Sequence, residues 1–429
     1  MRRGHRLLRL PDELREPPDE SDSETPGEGD GELMETRVRT AADDAEFEGY
    51  LAQTRHAFGK VPYDHATLRA HGVTAVAVRG TEVLGGGLFL PFAQHFGGRP
   101  VPSGGVAWLA VAPWERGAGL ARRLTEEGID RLRHEHGAAV ACAWTPAPGM
   151  YRRWGWEAAA VASGYALTPA ELPTPAPDFE TVVPDEAACA RLRQRLAPGW
   201  NGPLRRPAWW HGWKQRATEG ALTLGVTRAG SRDGAGAEDL AGYATVTVEP
   251  HQPWGVAAVV HDFWHDRLDA LPALLAAVSA RSPQVRQIRF RRSVLPRPST
   301  LQWALDQYAV REDGWYPWVL RLLDVRRALE ARGWDPQPRG GVGLDVVSPE
   351  GKSAPYALTF EEGLMHAQRG SHSSARTVRL PSATLAAWYA GGLPLRQAAR
   401  LGMAEGDARD LALLDALAAG PAPWLPESF

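Results

Sequence analysis

The sequence predicts an α+β protein in which two related sandwiches precede a smaller α/β unit. Helical segments alternate with short strand patterns from residue 36 onward. A series of helix, antiparallel strands and strand–turn–helix occurs once with a glycine-rich turn and again, loosely, without it. After residue 323 the pattern changes to two strands followed by helices. At 429 residues the chain is too long for one ordinary core, which agrees with several domains.

Residues 1–35 are predicted to be a disordered acidic arm. Pro, Glu, Asp, Ser and Gly dominate this segment, and such a composition cannot bury enough apolar surface to fold. It lacks the apolar core of a signal peptide. Met34 is an alternative start to Met1.

Composition and charge exclude several functions. A net charge of −3 without a basic stripe gives no footprint for nucleic acid. No run approaches the roughly 20 apolar residues that span a bilayer, so we expect no membrane partner. Cys142 and Cys189 lie too far apart for a disulfide framework or metal cluster, which favours the reducing cytoplasm. The thirteen histidines show no metal spacing, so we expect no metal.

The first sandwich is predicted over residues 36–168. A helix is expected in DDAEFEGYLAQTRHAF, starting at Asp43 or Asp44, because an acidic residue there caps the first turn. A hairpin follows in VTAVAVRGTEVLGGGLFLPFAQHF, with RGTE as its turn. VAWLAVAPWERGAGLARRL then supplies a strand, a glycine-rich turn and a helix, and AAVACAW a further strand.

The second sandwich is predicted over residues 169–323. Proline-rich LTPAELPTPAPDFETVVP is expected to be a linker. A helix in DEAACARLRQRL, three strands in ALTLGVTR, LAGYATVTVEP and VAAVVHDFWH, a helix in RLDALPALLAAVSAR and a strand in QIRFRRSV follow. HDFWHDRLDALPALL passes from strand to helix without a glycine, so this unit is expected to lack a cofactor-binding turn.

The third unit is predicted over residues 324–429. GVGLDVVSPEGKSAPYALTF has a two-stranded pattern, and RTVRLPSATLAAWYAGG a strand followed by a helix. GDARDLALLDALAAG is expected to be a terminal helix.

The glycine-rich turn of the first unit is the main candidate binding site. A helix that begins beside a strand end presents unpaired N–H groups and a partial positive charge, which suit a phosphate. Gly117 and Gly119 let a ligand touch the backbone, while Arg116, Arg122 and Arg123 add charge. The spacing fits neither the P-loop nor the Rossmann fingerprint. A surface turn with solubilising arginines is the alternative explanation.

The pattern Arg116-x-x-Gly119-x-Ala121 after an apolar strand resembles the acetyl-coenzyme A signature of the GCN5-related N-acetyltransferase (GNAT) superfamily. This resemblance implies that the turn amides hold the pyrophosphate and that the preceding strand splays from its neighbour to bind the pantetheine arm and the thioester. The residues so implied to hold acetyl-CoA are Leu109, Ala110, Val111, Arg116, Gly117, Ala118, Gly119, Leu120 and Ala121.

A second segment, TPAPGMYRRWGWEAA, resembles the IYGRFGYG element of the enhanced intracellular survival (Eis) family of multi-acetylating aminoglycoside acetyltransferases. Hydrophobic packing of Trp154 and Trp156 is the alternative explanation of these aromatic residues. The order of the three units, DGWYPWVLRLLDVRRALEARGW at the last junction and the terminal PESF also resemble that family. The resemblance covers about residues 36–429. It implies tandem GNAT folds, the second degenerate, a sterol-carrier-protein-like domain and a homo-hexamer.

Acetyl transfer from a thioester to an amine requires a base for the ammonium, a donor for the oxyanion and an acid for the thiolate. A phenol near pKa 10 matches a thiol near 8.5–10, so Tyr151 is expected to be the general acid. The oxyanion donor would be the Leu109 N–H. The family's base is its C-terminal carboxylate, which implies Phe429 here. A frayed, idle terminus is the alternative.

The resemblance also implies an aromatic and acidic acceptor pocket, built from Phe58, Trp108 and Glu427. The family has an acidic residue shortly after its phenylalanine, whereas Gly59 and Lys60 follow here, with Asp64 as a nearby substitute. Glu427 lies one residue further from the terminus than the family's acid. These departures weaken the inference that aminoglycosides specifically are the acceptors.

Three hypotheses follow for the function. The first is an acetyl-CoA-dependent N-acetyltransferase for primary amines of an aminoglycoside-like compound, a cationic peptide or lysine side chains. The second is a GNAT enzyme for an unrelated small amine, with the later domains serving assembly. The third is a non-catalytic module that senses acyl-CoA and holds an apolar ligand or a partner in its sterol-carrier-like domain.

Overall fold

Helices α1–α11 and strands β1–β17 build the described part of the chain. The computed structural model describes residues 35–230, 240–370, 376–420 and 422–429. The predicted arm lies outside these residues, apart from Glu35. The strands are β1 Arg37–Thr40, β2 Val73–Arg79, β3 Glu82–Phe96, β4 Arg99–Val111, β5 Val140–Trp144, β6 Glu157–Leu167, β7 Phe179–Val182, β8 Leu204–Arg205, β9 Leu222–Arg228, β10 Leu240–Pro250, β11 Val256–His265, β12 Val285–Phe290, β13 Val310–Leu322, β14 Gly340–Val347, β15 Ser353–Glu361, β16 Leu364–Arg369 and β17 Thr377–Pro381. The helices are α1 Asp44–Phe58, α2 His65–His71, α3 Leu120–Glu135, α4 Pro148–Arg152, α5 Glu186–Leu196, α6 Ala208–Ala217, α7 Ala270–Ser279, α8 Val325–Ala331, α9 Ser382–Ala390, α10 Leu395–Arg400 and α11 Ala408–Leu417.

Local chemistry sets the bounds of α1 as the sequence predicts. The Asp43 carboxylate accepts a hydrogen bond from the Glu46 N–H at 2.9 Å, which satisfies one of the free donors of the first turn. Gly59 adopts a left-handed backbone with φ 69° and ends the helix. Phe47, Tyr50 and Leu51 lie on its buried face.

One large sheet runs through both sandwiches, in the order β1-β2-β3-β4-β5-β13-β6-β12-β11-β10-β9-β7, and β8 adds to the edge of β3. β13 comes from the predicted second unit but lies between β5 and β6 of the first, antiparallel to both. The sequence analysis did not identify β13 as a strand, because Gly314 and Pro317 interrupt its pattern. The two sandwiches therefore share one continuous sheet.

The second sandwich repeats the plan of the first. In both, an antiparallel hairpin leads into a strand that is followed by a helix and then by a parallel neighbour: β4, α3, β5 in the first and β11, α7, β12 in the second. The second turn holds Asp266 and Asp269 instead of glycines, and acidic side chains at a helix start repel a phosphate. The predicted α+β class with a degenerate second repeat is confirmed.

The predicted linker after residue 166 contains a strand. Phe179–Val182 pairs antiparallel with Val226 and its neighbours at the open edge of β9. The proline-rich composition predicted a loop, but pairing with an available edge strand provides an ordered alternative for these four residues.

The third unit is a four-stranded sheet, β16-β15-β14-β17, covered by helices. Helix α9 is buried from Ala383 to Ala390 because it packs between this sheet and strands β6 and β13 of the large sheet. Gly97 and Gly333 approach so closely that a β-carbon on either would overlap the other's carbonyl. The third unit is thus packed tightly against the first.

Candidate active site

Strand β4 separates from β5 halfway along its length. Their parallel pairing covers only Ser103–Val106, whereas β4 continues to Val111. Beyond Val106, the backbone groups that face β5 have no strand partner there. Buried backbone groups need a hydrogen-bonding partner, so this gap suits a ligand that itself carries amides. Leu109, Ala110 and Val111 lie on this free segment, as the resemblance implied.

A β-bulge changes the direction of β4 within the segment that has separated from β5. The register between β3 and β4 shifts from Leu88 opposite Ala107 to Gly86 opposite Ala110, so one β3 residue faces two β4 residues. Trp108 adopts φ 52°, a conformation that a bulky residue rarely takes. The buried Tyr50 hydroxyl donates to the Trp108 carbonyl at 3.0 Å and holds this conformation.

The predicted phosphate-binding turn stands directly before α3. Gly119 precedes the helix with φ 79°, and Gly117 has φ 90°. A β-carbon built on either glycine meets no heavy atom within 4 Å, so the space over the turn is open. Since no side chain caps this helix, its first N–H groups are available to a diphosphate. The residues fit the coenzyme that the resemblance implies.

The three arginines of this turn are not equivalent. Arg122 pairs with Glu350 of the third unit at 2.7 Å, and Arg123 donates to the Thr36 carbonyl at 2.8 Å. Arg116 is exposed and makes no ion pair with any described residue. Arg116 is therefore the arginine that is free to meet a phosphate.

Tyr151 lies in the short helix α4 after β5. Its ring packs between Trp154 and Trp156, with centroids at 5.3 and 5.4 Å, and the residue is buried. Leu109 and Val111 pack against the hydrophobic cluster that includes Tyr151. Burial, with a smaller contribution from Tyr316, raises the pKa of Tyr151 well above its usual value. The phenol is thus fully protonated near neutral pH, and both tryptophans pack against its ring.

The predicted acceptor side is aromatic but not acidic. The Phe58 ring meets Trp108 edge-on at 5.3 Å and is 46% exposed. Lys60 places its ammonium 6.0 Å from the Trp108 ring centre. Asp64, the substitute acid, is paired with Arg216 at 2.6 Å. The described residues around this ring pair therefore bring a positive charge where the family has an acid.

The chain end lies against β4 just before the strand separates. The Phe429 ring packs on Phe92 at 5.5 Å and on Trp210 at 6.1 Å. A β-carbon added to Gly105 would stand 2.6 Å from the Phe429 ring. Gly105 directly precedes Val106, where the β4–β5 pairing stops. Phe429 is thus placed at the opening of the gap.

Glu427 anchors this chain end. Its carboxylate accepts from Arg206 at 2.5 Å and from the Trp210 indole at 3.1 Å, and pairs with Lys214 at 3.0 Å. The Trp144 indole donates to the Glu427 carbonyl at 2.7 Å. Burial opposes ionisation, but Arg206 and Lys214 lower the pKa of Glu427, so the carboxylate is charged. Both oxygens are engaged, so the group predicted to bind substrate is occupied within the protein.

Several residues of the site were missed by the sequence analysis: Tyr50, Phe92, Trp144, Arg206, Trp210 and Lys214. The segment RRPAWWHGWKQR combines three tryptophans with basic residues, which is unusual in a surface helix. That composition was the available signal for a wall of the site.

No group of three or more His, Cys, Asp or Glu side chains among the described residues is arranged to hold a metal ion. None of the described helices combines the length and the apolar character of a membrane span.

Comparisons with known proteins agree with this geometry. Residues 37–159 match the family model of the acetyltransferase (GNAT) domain, and residues 325–426 match that of the sterol carrier protein domain. No curated protein matches the chain.

Three solved structures share the fold. A GCN5-related N-acetyltransferase from Anabaena variabilis ATCC 29413 superposes with a TM-score of 0.79 at 20% identity, over 92% of this chain and 100% of that one. One from Kribbella flavida gives 0.74 at 21% identity, over 92% and 99%. Eis1 from Mycobacterium abscessus gives 0.71 at 21% identity, over 92% and 100%. The predicted GNAT resemblance is confirmed: the chain carries a GNAT acetyltransferase domain at residues 37–159, followed along the chain by a sterol carrier protein domain at residues 325–426.

Proposed function

We propose that this protein transfers an acetyl group from acetyl-CoA to a primary amine. Tyr151 serves as general acid and the Phe429 carboxylate as base. The observation that supports this most directly is the end of β4–β5 pairing at Val106, beside the open glycine turn before α3. A strand gap next to a helix start binds an extended, amide-bearing diphosphate and aims its thioester into the gap.

Acetyl-CoA supplies the activated acyl group. The chain's own residues hold it, with the amides from Arg116 to Ala121 on the diphosphate and those from Leu109 to Val111 on the pantetheine arm. The Leu109 N–H then points to where negative charge develops on the acetyl oxygen. A fixed donor there stabilises that charge without reorganisation.

Tyr151 donates to the departing sulfur. Because burial raises its pKa, the phenol is a weaker acid than a thiol and does not protonate a neutral thioester. It acts as a hydrogen-bond donor first. Burial raises the pKa of the departing thiol in the same site as well, so the proton follows when charge builds on the sulfur.

Phe429 removes the proton of the attacking amine. Its ring is held by Phe92 and Trp210, and Glu427 is locked two residues earlier by Arg206 and Lys214. A chain end fixed in this way loses less entropy on reaction than a frayed terminus.

The acceptor is best described as an amine on an apolar or aromatic body. Phe58 and Trp108 offer ring faces, while Lys60 repels a second positive charge. Asp64 and Glu427 are already paired. A polycation such as an aminoglycoside therefore finds less complementary charge here than an acceptor with one amine. The homo-hexamer and the cytoplasmic location stay predictions.

Thiol release from acetyl-CoA tests the proposal. Purified protein is assayed with phenethylamine, tobramycin, kanamycin and a lysine-rich peptide. We expect amine-dependent release, with the highest kcat/KM for phenethylamine. Tyr151→Phe should lower kcat about 10²-fold or more, since general acid catalysis contributes that much. Tyr308→Phe changes an exposed tyrosine and serves as the matched control.

A chain lengthened by one glycine after Phe429 tests the base. It keeps the aromatic ring but moves the terminal carboxylate, so kcat should fall while acetyl-CoA binding persists. Unchanged turnover in the lengthened chain would exclude Phe429 as base. Binding of acetyl-CoA without release for any amine would favour the acyl-CoA-sensing hypothesis.

A further inference from the structure

The second sandwich contains a polar cavity whose lining shares Arg206 and Lys214 with the anchor of the chain end but includes neither Tyr151 nor any residue of the coenzyme turn. It has a volume of about 290 Å³ and lies against strands β9–β11 and helix α6. Its ionisable and hydroxyl lining includes Glu186, Arg206, His211, Lys214, Tyr243 and Asp262.

The acceptors of the wall are already occupied. Asp262 receives Arg206 and Tyr243 on one oxygen, at 2.8 and 3.0 Å, and the Trp264 indole on the other at 2.9 Å. Glu186 contacts Arg193 with one oxygen and His211 with the other, both at 3.1 Å. Neither carboxylate has an oxygen left without a partner. Both carboxylates are already paired with arginine side chains of the protein, so neither presents an unbalanced negative charge to a cationic ligand.

The donors of the wall are not all used. Arg206 donates from Nε to Glu427 and from Nη1 to Asp262, but its Nη2 is buried without a partner. The Arg206 side chain is only 9% exposed. Lys214 contacts Glu427 with an ammonium that carries three N–H groups. An unpaired buried donor costs about 1–3 kcal/mol, which a ligand oxygen within hydrogen-bond reach of Nη2 would recover.

The cavity lies at a strand irregularity of the same kind as the one in the acetyl-transfer site, because His261 and Asp262 of β11 line it. The parallel pairing of β11 with β12 stops at Val260, as that of β4 with β5 stops at Val106. The β10–β11 register also shifts there, so His261 occupies the place in the second repeat that the bulge at Trp108 and Leu109 occupies in the first. The second repeat thus keeps a recess beside its separated strand although its helix start carries acids.

We propose that this cavity binds a small molecule through one oxyanion group, held by Arg206 and Lys214. Asp262 accepts from one terminal nitrogen of Arg206, and the Tyr243 hydroxyl donates to the same carboxylate oxygen, so the guanidinium is held in place at the cavity wall. The volume admits a small carboxylate or phosphate compound and excludes a whole coenzyme.

A ligand bound in the cavity would also affect the position of the chain end. Lys214 and Arg206 hold Glu427, and Glu427 lies two residues before Phe429. An anion that shares Lys214 weakens this anchor and moves the terminal carboxylate. This second step rests on the proposed function, whereas the binding site itself does not.

Calorimetric titration of the full chain with sodium acetate and with inorganic phosphate tests the site. We expect saturable binding of at least one anion with one site per chain. Lys214→Gln should weaken binding at least tenfold, and Ala221→Leu should abolish it by filling the cavity that Ala221 lines. Lys352→Gln, at an exposed lysine, should bind as the unchanged chain does. Thermal melts confirm that each variant is folded.

Arg116→Gln separates this cavity from the coenzyme turn. Phosphate binding at the turn would be weakened in that variant, while cavity binding would persist. Absence of saturable binding in the unchanged chain, or equal binding by Lys214→Gln, would overturn the site. Thiol release measured with and without the anion then tests the second step. A preparation that binds anions but never releases thiol would refute the proposed function and leave the anion site standing.

Discussion

Replacing Gly105 with alanine should displace the chain end without touching the coenzyme turn. The added β-carbon would stand 2.6 Å from the Phe429 ring and 2.8 Å from the Phe92 ring, whereas ordinary contact begins at 3.4 Å. The Phe429 ring must therefore move by about 0.8 Å. Misplacement of a catalytic group by about 1 Å costs on the order of 10²-fold in rate, or about 2.7 kcal/mol of activation free energy.

Steady-state thiol release is the assay. We expect kcat of Gly105→Ala to fall between tenfold and a hundredfold, while KM for acetyl-CoA stays constant because residues 116–121 are unchanged. Overpacking should also lower the free energy of unfolding by about 1–3 kcal/mol, which a urea titration measures. Gly199→Ala is the matched control, since a β-carbon there meets nothing within 4 Å. A folded Gly105→Ala with unaltered kcat would refute the role of Phe429.

Two further predictions concern stability. Arg332 is buried, donates to three backbone carbonyls and remains charged at neutral pH although burial lowers its pKa to about 10. Arg332→Met should therefore lower the free energy of unfolding, measured in urea, by about 2–4 kcal/mol. A loss no larger than that of the exposed Arg339→Met would contradict this prediction. Burial, aided by nearby cations, lowers the pKa of His261 from 6.5 to about 4. As pH falls, His261 therefore takes up a proton in the unfolded chain at a higher pH than in the folded chain. Its protonation should lower the free energy of unfolding by up to about 3 kcal/mol between pH 6.5 and pH 4. His261→Gln should flatten the melting temperature over that range, and a slope as steep as in the exposed His366→Gln would count against it.

Local signals predicted the parts of the fold that depend on neighbours in sequence. Asp43 and Gly59 bound α1 through contacts within one turn. Gly117 and Gly119 shape the turn before α3 by their own backbone freedom. Such features can be read from the sequence because no distant residue is needed to form them.

Strand pairing over long separations was harder to predict. The segment Phe179–Val182 is ordered by β9, and β13 by β5 and β6, each far away along the chain. Neither segment has an uninterrupted alternation of apolar residues. Their structure depends on an edge or a gap that exists only once the other strands have paired.

The residues of the candidate site also divide into those that local sequence predicts and those that depend on distant partners. Tyr151 and the strand before the turn follow from motifs that are each continuous in sequence. The role of Glu427 does not, because its partner Arg206 lies 221 positions away. A terminal acid reads as a substrate contact in the sequence, and only the fold reveals that two cations already hold it.

The placement of β13 has a consequence for synthesis of the protein. During synthesis, the position between β5 and β6 cannot be filled until Leu322 has been made. The sheet of the first sandwich is therefore completed only after most of the second sandwich has been synthesised. A truncated fragment that stops before β13 would expose two unpaired strand edges, which invite aggregation. Both repeats are therefore needed in one polypeptide to complete this sheet.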